Sequence, residues 1–203
     1  MTRERPILFS APMVRAILDD TKTQTRRVVK PRKDRYIGCE LAPGELAGEV
    51  NNGEFANCPY GRPGDRLWVR ETWAYDDEDG EILYRADDID ATRNWDQQKH
   101  ESGLSKYNWR PSIFMPRVAS RITLEITEVR VERLNSISEA DAIAEGLIRA
   151  PYGWWSGREG SSSPTPQGAY ALLWQDINGP ESWSANPWVW VIEFTTPAAG
   201  REA

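Results

Sequence analysis

Across residues 119–134 the apolar side chains fall on every second position. A period of two places alternate side chains on opposite faces of an extended chain, so this stretch predicts a long strand with one buried face. The apolar set runs Ile122, Leu124, Ile126 and resumes at Val129 and Val131. That change of phase at Thr127-Glu128 predicts a bulge or bend. Residues 187–194, PWVWVIEF, are apolar on both faces and predict a closing strand in the middle of a sheet, with Trp188 and Trp190 on one face. Two such strands commit the chain to a fold built around a sheet.

The remaining elements are shorter. Residues 6–9 read as an opening strand and residues 11–19 as an amphipathic helix. In that helix Pro12 sits in the first turn, and Met13, Val14, Ile17 and Leu18 pair at i, i+4. The threonines of TKTQTRR, at 21, 23 and 25, suit a turn leading into an extended segment. Residues 31–63, rich in Gly, Pro and Asn, read as a long excursion with a hairpin near Asn51-Asn52-Gly53. Pro63-Gly64-Asp65 makes a turn into a strand at 67–72, with Leu67 and Val69 facing one way and Trp68 and Arg70 the other. Ile82 to Tyr84 form a strand inside an acidic region, and residues 86–108 read as a polar, mobile insertion. Ser138 and Asp141 have the spacing of a capping box for a second helix that Gly146 ends. Residues 147–168 read as a flexible Gly/Ser/Pro loop. A third helix follows at 168–177, with Tyr170, Leu173, Trp174 and Ile177 on one side. These strands lack regular βαβ spacing. The expectation is therefore an α+β chain with a small, mostly antiparallel or mixed barrel and helices outside it.

Composition narrows the functional classes. Hydrophobic residues make up 39% and charged residues 28% of 203, which suits a globular core. No apolar run approaches the roughly 20 residues of a membrane span, and MTRERPILFSAP does not read as a signal peptide. The expected compartment is the cytoplasm, with Cys39 and Cys58 as reduced thiols. The net charge of −6 argues against non-specific coating of nucleic acid. The charge is uneven, however. Residues 1–35 hold ten Lys or Arg against four Asp or Glu, and the rest 15 against 27. The basic share, including Arg26, Arg27, Lys30, Arg32, Lys33 and Arg35, is either a phosphate-facing patch or a solvated loop.

GxGxxG, GxxxxGK[ST], CxxC, HExxH and GxSxG are all absent. One histidine, His100, lies in a charged stretch and reads as exposed. With two cysteines it makes a closed zinc site improbable on numbers alone. The acidic cluster Asp76, Asp77, Glu78 and Asp79 reads as a solvated loop. No metal or cofactor is implied. What remains is Lys22 with Thr23, Thr25, Arg26 and Arg27. In an extended chain Lys22 and Thr25 point apart; in a turn they converge. A lysine in a dry pocket loses charge and serves as a base, and a neighbouring hydroxyl attacks a carbonyl or orients water. Glu71, ending an apolar strand, and Glu145, in the last turn of the second helix, are the acids best placed to be held near a core. Trp154 and Trp155, in a Gly-rich loop, are the tryptophans best placed to stack a base.

In this order, TKTQTRR, PGDRLWVRE, ISEADAIAEG and WVWVIEF resemble the ASCH-domain family of the PUA-like superfamily, and in particular the longer ASCH proteins of phages and prophages. The resemblance covers nearly all of residues 5–195. It implies a PUA-like barrel over residues 1–196, with insertions near 31–60, 86–112 and 147–166, a disordered tail at 197–203, and a cleft for RNA or a nucleotide. It also implies a chemistry, hydrolysis of the N4-acyl amide of N4-acetylcytidine. Lys22 matches the family lysine, Thr25 its threonine and Glu145 its glutamate. In that chemistry Lys22 is the base, Thr25 the nucleophile or the holder of a water, and Glu145 a proton shuttle or the group that orients Lys22. Arg26, Glu71 and Trp154 would contact the substrate. Two other expectations stand beside this one. The first is a non-catalytic RNA- or DNA-binding module, or a ribonuclease, whose basic stretch from Arg26 to Arg35 meets phosphates. The second is a phage-type accessory protein that binds a host protein through its insertions.

Overall fold

The structure is a computed structural model, and it describes residues 2–76, 80–87, 108–157 and 160–197. In chain order the elements are β1 (Glu4–Leu8), α1 (Ala11–Leu18), β2 (Gln24–Val28), β3 (Arg32–Lys33), β4 (Glu40–Leu41), α2 (Pro43–Asn51), β5 (Arg66–Arg70), β6 (Trp73–Tyr75) and β7 (Ile82–Tyr84). There follow β8 (Thr123–Arg133), α3 (Glu139–Ala144), β9 (Ile148–Ala150), β10 (Gly153–Trp155), α4 (Pro166–Asn178) and β11 (Trp188–Thr195).

Five strands make the main sheet, in the order β1-β5-β8-β11-β2. β1 and β5 are parallel, and the other three pairs are antiparallel. The α+β class and the mixed sheet are as expected. Closure into a barrel is not seen. Among the described residues no ladder joins the edge strands β1 and β2. A side chain spans that gap instead: the Arg27 guanidinium donates to the Leu8 carbonyl at 2.6 Å. α1, which connects the two edges, covers the core there with Val14 and Ile17.

The phase break in β8 is real. Glu193 pairs with Glu128 and Phe194 with Ile126, which leaves Thr127 as the extra residue of a bulge. The bulge lets both halves of β8 direct apolar residues to the same side. β11 is central, as its composition predicts. Its Trp190, Ile192 and Phe194 enter the main core with Leu67, Val69, Leu124, Ile126, Val129 and Val131. Val189 and Val191 enter a second core with Ala169, Tyr170, Leu173 and Trp174 of α4, Ala142 of α3, and Leu147. Each fully buried apolar side chain in these layers contributes roughly 1.5–3 kcal/mol.

Two segments differ from expectation. The excursion at 31–63 contains α2 rather than a hairpin near Asn51. Pro43 starts this helix, and Glu45 turns back to accept the Ala42 N–H at 2.7 Å. Leu46, Ala47 and Val50 bury one face, while Gly44 and Gly48 weaken the helical signal. The expected loop at 147–168 holds the β9–β10 hairpin, a bridge between Trp154 and Ser163, and the first turn of α4. Thr165 caps α4 by accepting the Gly168 N–H at 3.2 Å.

The acids Asp77, Glu78 and Asp79, the stretch 88–107 with Trp95 and His100, and residues 198–203 lie outside the described residues. Among the described residues no helix is long and apolar enough to cross a membrane. Cys39 is exposed, Cys58 is buried, and both are free.

Candidate active site

The end of α1 sets up the site. Asp20 takes a left-handed backbone, and the N–H groups of Thr21 and Lys22 both donate to the Ala16 carbonyl at 2.9 Å. The chain is thereby turned into β2. Thr23 is then held on both sides, donating to the Ala144 carbonyl at 2.9 Å and accepting the Phe194 N–H at 2.9 Å. These bonds fasten Lys22 to the C-terminal end of α3, where it forms a bridge with Glu145. Gly146 makes the approach possible. Its φ is +94°, and a Cβ there would sit 3.1 Å from the Cβ atoms of both Ala16 and Lys22. The capping box that starts α3 is also present, with Asp141 N–H donating to Ser138 Oγ at 3.1 Å and Ser138 N–H to Asp141 Oδ2 at 3.3 Å.

Lys22 Nζ donates to Glu145 Oε2 at 2.7 Å and to the Glu145 carbonyl at 2.9 Å. Lys22 is 2% exposed and Glu145 6%. Burial pushes the Lys22 amine below the usual lysine range, and the Glu145 charge opposes the shift. The amine also lies 5.9 Å from the Phe9 ring centroid.

Glu145 is a hub. Its Oε1 receives the Tyr170 hydroxyl at 3.4 Å and stands 3.5 Å from the Arg26 guanidinium. Burial pushes the Tyr170 hydroxyl well above its ordinary value, and the Glu145 charge adds to that. Arg26 is sealed and does not face solvent. It bonds Glu132 at 2.8 Å, stands 3.3 Å from Asp141, and makes a short bond to the Gln24 side chain. Arg130 ties the outer rim, reaching Glu193 at 2.5 Å and Asp141 at 2.7 Å. Burial acts to raise the Asp141 carboxyl. Bonds from Gln24 and Ser138 and the charges of Arg26 and Arg130 outweigh it and hold the group at about 2. Three cations, Lys22, Arg26 and Arg130, therefore meet five carboxylates, Glu128, Glu132, Asp141, Glu145 and Glu193.

Thr25 is buried and lies opposite Ile192 in the ladder, so strand alternation turns it toward the main core, away from Gln24 and Arg26. Among the described residues its hydroxyl has no hydrogen bond to Lys22 or Glu145. Arg27 shares that face and lies over Phe9 at 5.2 Å. The Phe9 ring therefore borders both the Lys22 amine and the face that carries Thr25.

Glu71 is placed in a different cluster. Arg121 clamps its carboxylate with two bonds of 3.0 and 3.1 Å, reaches Asp87 at 2.7 Å, and lies over the Tyr84 ring at 4.0 Å. Burial pushes the Glu71 carboxyl up, and Arg121 opposes the shift. Trp154 is on β10, not in a loop. It is half-buried against the second core, with the Arg149 guanidinium 5.1 Å from its ring. Of the basic stretch, Lys30, Lys33 and Arg35 are exposed, Arg27 and Arg32 are half-buried, and Arg26 is buried. Among the described residues no three His, Cys, Asp or Glu side chains are grouped so that they could hold a metal ion.

Residue-level reading missed Tyr170, Asp141, Arg130, Glu132 and Glu193 as members of the site. Arg130 and Glu132 occupy the polar phase of β8, which is a signal of sorts. Their convergence with α3 depends on the sheet order, which sequence spacing does not carry. Protein-family models, curated proteins and solved structures yield no match to this chain.

Proposed function

We propose that the protein is an ASCH-type protein, with a sheet derived from the PUA-like barrel, that removes an acyl group from the exocyclic amine of a modified pyrimidine such as N4-acetylcytidine. The observation that carries this reading is the Lys22–Glu145 pair: a sealed amine below its usual range, 2.7 Å from a carboxylate, on the turn that leads into β2. Lys22, made neutral by passing its proton to Glu145 at 2.7 Å, takes a proton from a water. The oxygen so freed adds to the acyl carbonyl. The C–N bond then breaks, and Glu145 passes a proton to the departing amine. That water supplies the hydroxyl of the acid, so the products are a carboxylic acid and the free base. The Arg26 charge, 3.5 Å from Glu145, stabilises the carboxylate between proton transfers. Incubation with N4-acetylcytidine and mass-spectrometric detection of cytidine tests the reading. Turnover that is lost in Lys22→Ala, with the fold kept by circular dichroism, supports it. Turnover retained in that variant overturns it.

A second reading, a nucleic-acid-binding module without catalysis, is favoured by one observation. Lys30, Lys33 and Arg35 are open to solvent while Lys22 and Glu145 are closed. Binding of that kind weakens steeply with salt, whereas turnover of a neutral nucleoside does not.

A further inference from the structure

The N-terminal strand and the 31–63 excursion enclose a cleft of about 830 Å³ that the Lys22 chemistry leaves unused. Arg3, Arg5, Arg35 and Arg62 line it, with Tyr36 and Phe55. That volume falls in the range of small-ligand sites. The one acid in the lining is Asp65, and its carboxylate accepts backbone N–H groups of that lining. Oδ1 accepts the Arg3 backbone N–H at 3.0 Å and Oδ2 that of Arg62 at 3.3 Å. Among the described residues the guanidinium groups of Arg3, Arg35 and Arg62 form no ion pair. Arg5 is fixed by bonds to the Cys58 and Pro59 carbonyls at 3.0 and 2.7 Å, which leave its charge uncompensated.

The backbone around the cleft is built rather than loose. Gly61 has φ +116°, and a Cβ there would lie 2.7 Å from Asp65 Oδ2. Asn57 Oδ1 accepts the Arg35 N–H at 3.0 Å, and Asn57 Nδ2 donates to Asp34 at 2.8 Å and to Glu49 of α2 at 3.0 Å. The loop that presents Arg35 is thus pinned to a helix. Asp34 in turn accepts the Tyr36 N–H at 2.7 Å, and the Tyr36 ring is left 80% exposed.

Four like charges converge on one cleft, and the single carboxylate of Asp65 does not offset them all. A phosphate would, because guanidinium groups match its oxygens in paired bonds. An exposed tyrosine beside them offers a stacking face for a base. From this juxtaposition we infer that the cleft binds the phosphate of a nucleotide unit, with its base against Tyr36. The unit has two sources, a free mononucleotide or a residue of single-stranded RNA. The site is separate from the Lys22–Glu145 pair, and the inference does not rest on deacylation.

The test is binding, by calorimetry with cytidine 5′-monophosphate and with cytidine, and by fluorescence anisotropy with a labelled short oligouridylate. Arg35→Ala, Arg62→Ala, their double variant and Tyr36→Ala alter exposed side chains, so the fold is kept. Each arginine change weakens binding about tenfold, as expected for loss of one charge-assisted contact. Tyr36→Ala weakens it by roughly fivefold or more. The monophosphate binding and cytidine failing to bind supports the free-nucleotide source. Salt-sensitive binding of the oligonucleotide alone supports the RNA source. Absence of binding by both phosphorylated probes, or affinity unchanged in the double variant, overturns the inference.

Discussion

Glu145 and Lys22 form one ion pair, but their loss should have unequal consequences. Glu145→Gln keeps the shape and removes the charge. It leaves Lys22, 2% exposed, with the residue 145 main-chain carbonyl at 2.9 Å and an uncharged amide in place of the carboxylate. It also takes one of three carboxylates from Arg26. Breaking a buried pair in this way costs about 3–5 kcal/mol. For a domain of this size that is a fall in Tm of roughly 6–20 °C. Lys22→Met removes the amine together with its desolvation cost. Glu145 keeps Arg26 at 3.5 Å and the Tyr170 hydroxyl at 3.4 Å. The expected cost is that of one charged hydrogen bond, about 1.5–3 kcal/mol. The double variant Lys22→Met/Glu145→Gln no longer strands an ammonium, so it should be milder than the sum, with a coupling of roughly 0.5–3 kcal/mol. Urea unfolding of the four proteins at neutral pH measures all three quantities. A Lys22→Met cost equal to that of Glu145→Gln, with additivity in the double variant, would refute the hub arrangement.

Two smaller tests address the support around the pair. Gly146→Ala combines a positive φ of +94° with a Cβ 3.1 Å from Ala16 and Lys22, so it should destabilise by about 2–5 kcal/mol in urea unfolding. Asp141 titrates at about 2 in the folded state against 3.8 ordinarily, so the unfolded chain binds its proton first as acid is added. Its contribution to stability is complete above 3.8 and is lost as the pH falls toward 2. Asp141→Asn should remove that acid-dependent component from the stability profile, and an unchanged acid slope would count against the network.

Local pattern carried the fold wherever it was strong. The phase break at Thr127 became a bulge, and the capping box at Ser138 formed both of its bonds. The doubly apolar run of β11 became a strand with a core on each side. Pattern failed where composition hid it. Gly44 and Gly48 dilute a helix that Leu46, Ala47 and Val50 nevertheless anchor to the core. The Gly/Ser/Pro content of residues 147–168 masks a hairpin whose strands are only three residues each. Barrel closure was illegible for another reason. Whether the two edge strands pair depends on the path of the segment that joins them, which strand spacing does not carry; α1 lies in that segment and buries Val14 and Ile17 in the core.

The same distinction governs the charge. Along the sequence the first 35 residues form one basic block, but strand parity divides it. Lys22, Gln24 and Arg26 share one phase, and that phase faces Asp141, Glu145 and, for Arg26, Glu132. These acids come from far along the chain, so the excess of carboxylates after residue 35 is partly the counter-charge of this inward phase. Thr25 and Arg27 take the other phase, with Arg27 over the Phe9 ring. The arginines left without carboxylate partners, Arg3, Arg35 and Arg62, converge only because Asp65 and Asn57 fix the backbones that present them. A basic segment read as a single phosphate-facing stretch is therefore two objects. One is a sealed network suited to proton transfer. The other is an open cleft with four arginines to one acid, suited to an anion from outside the chain.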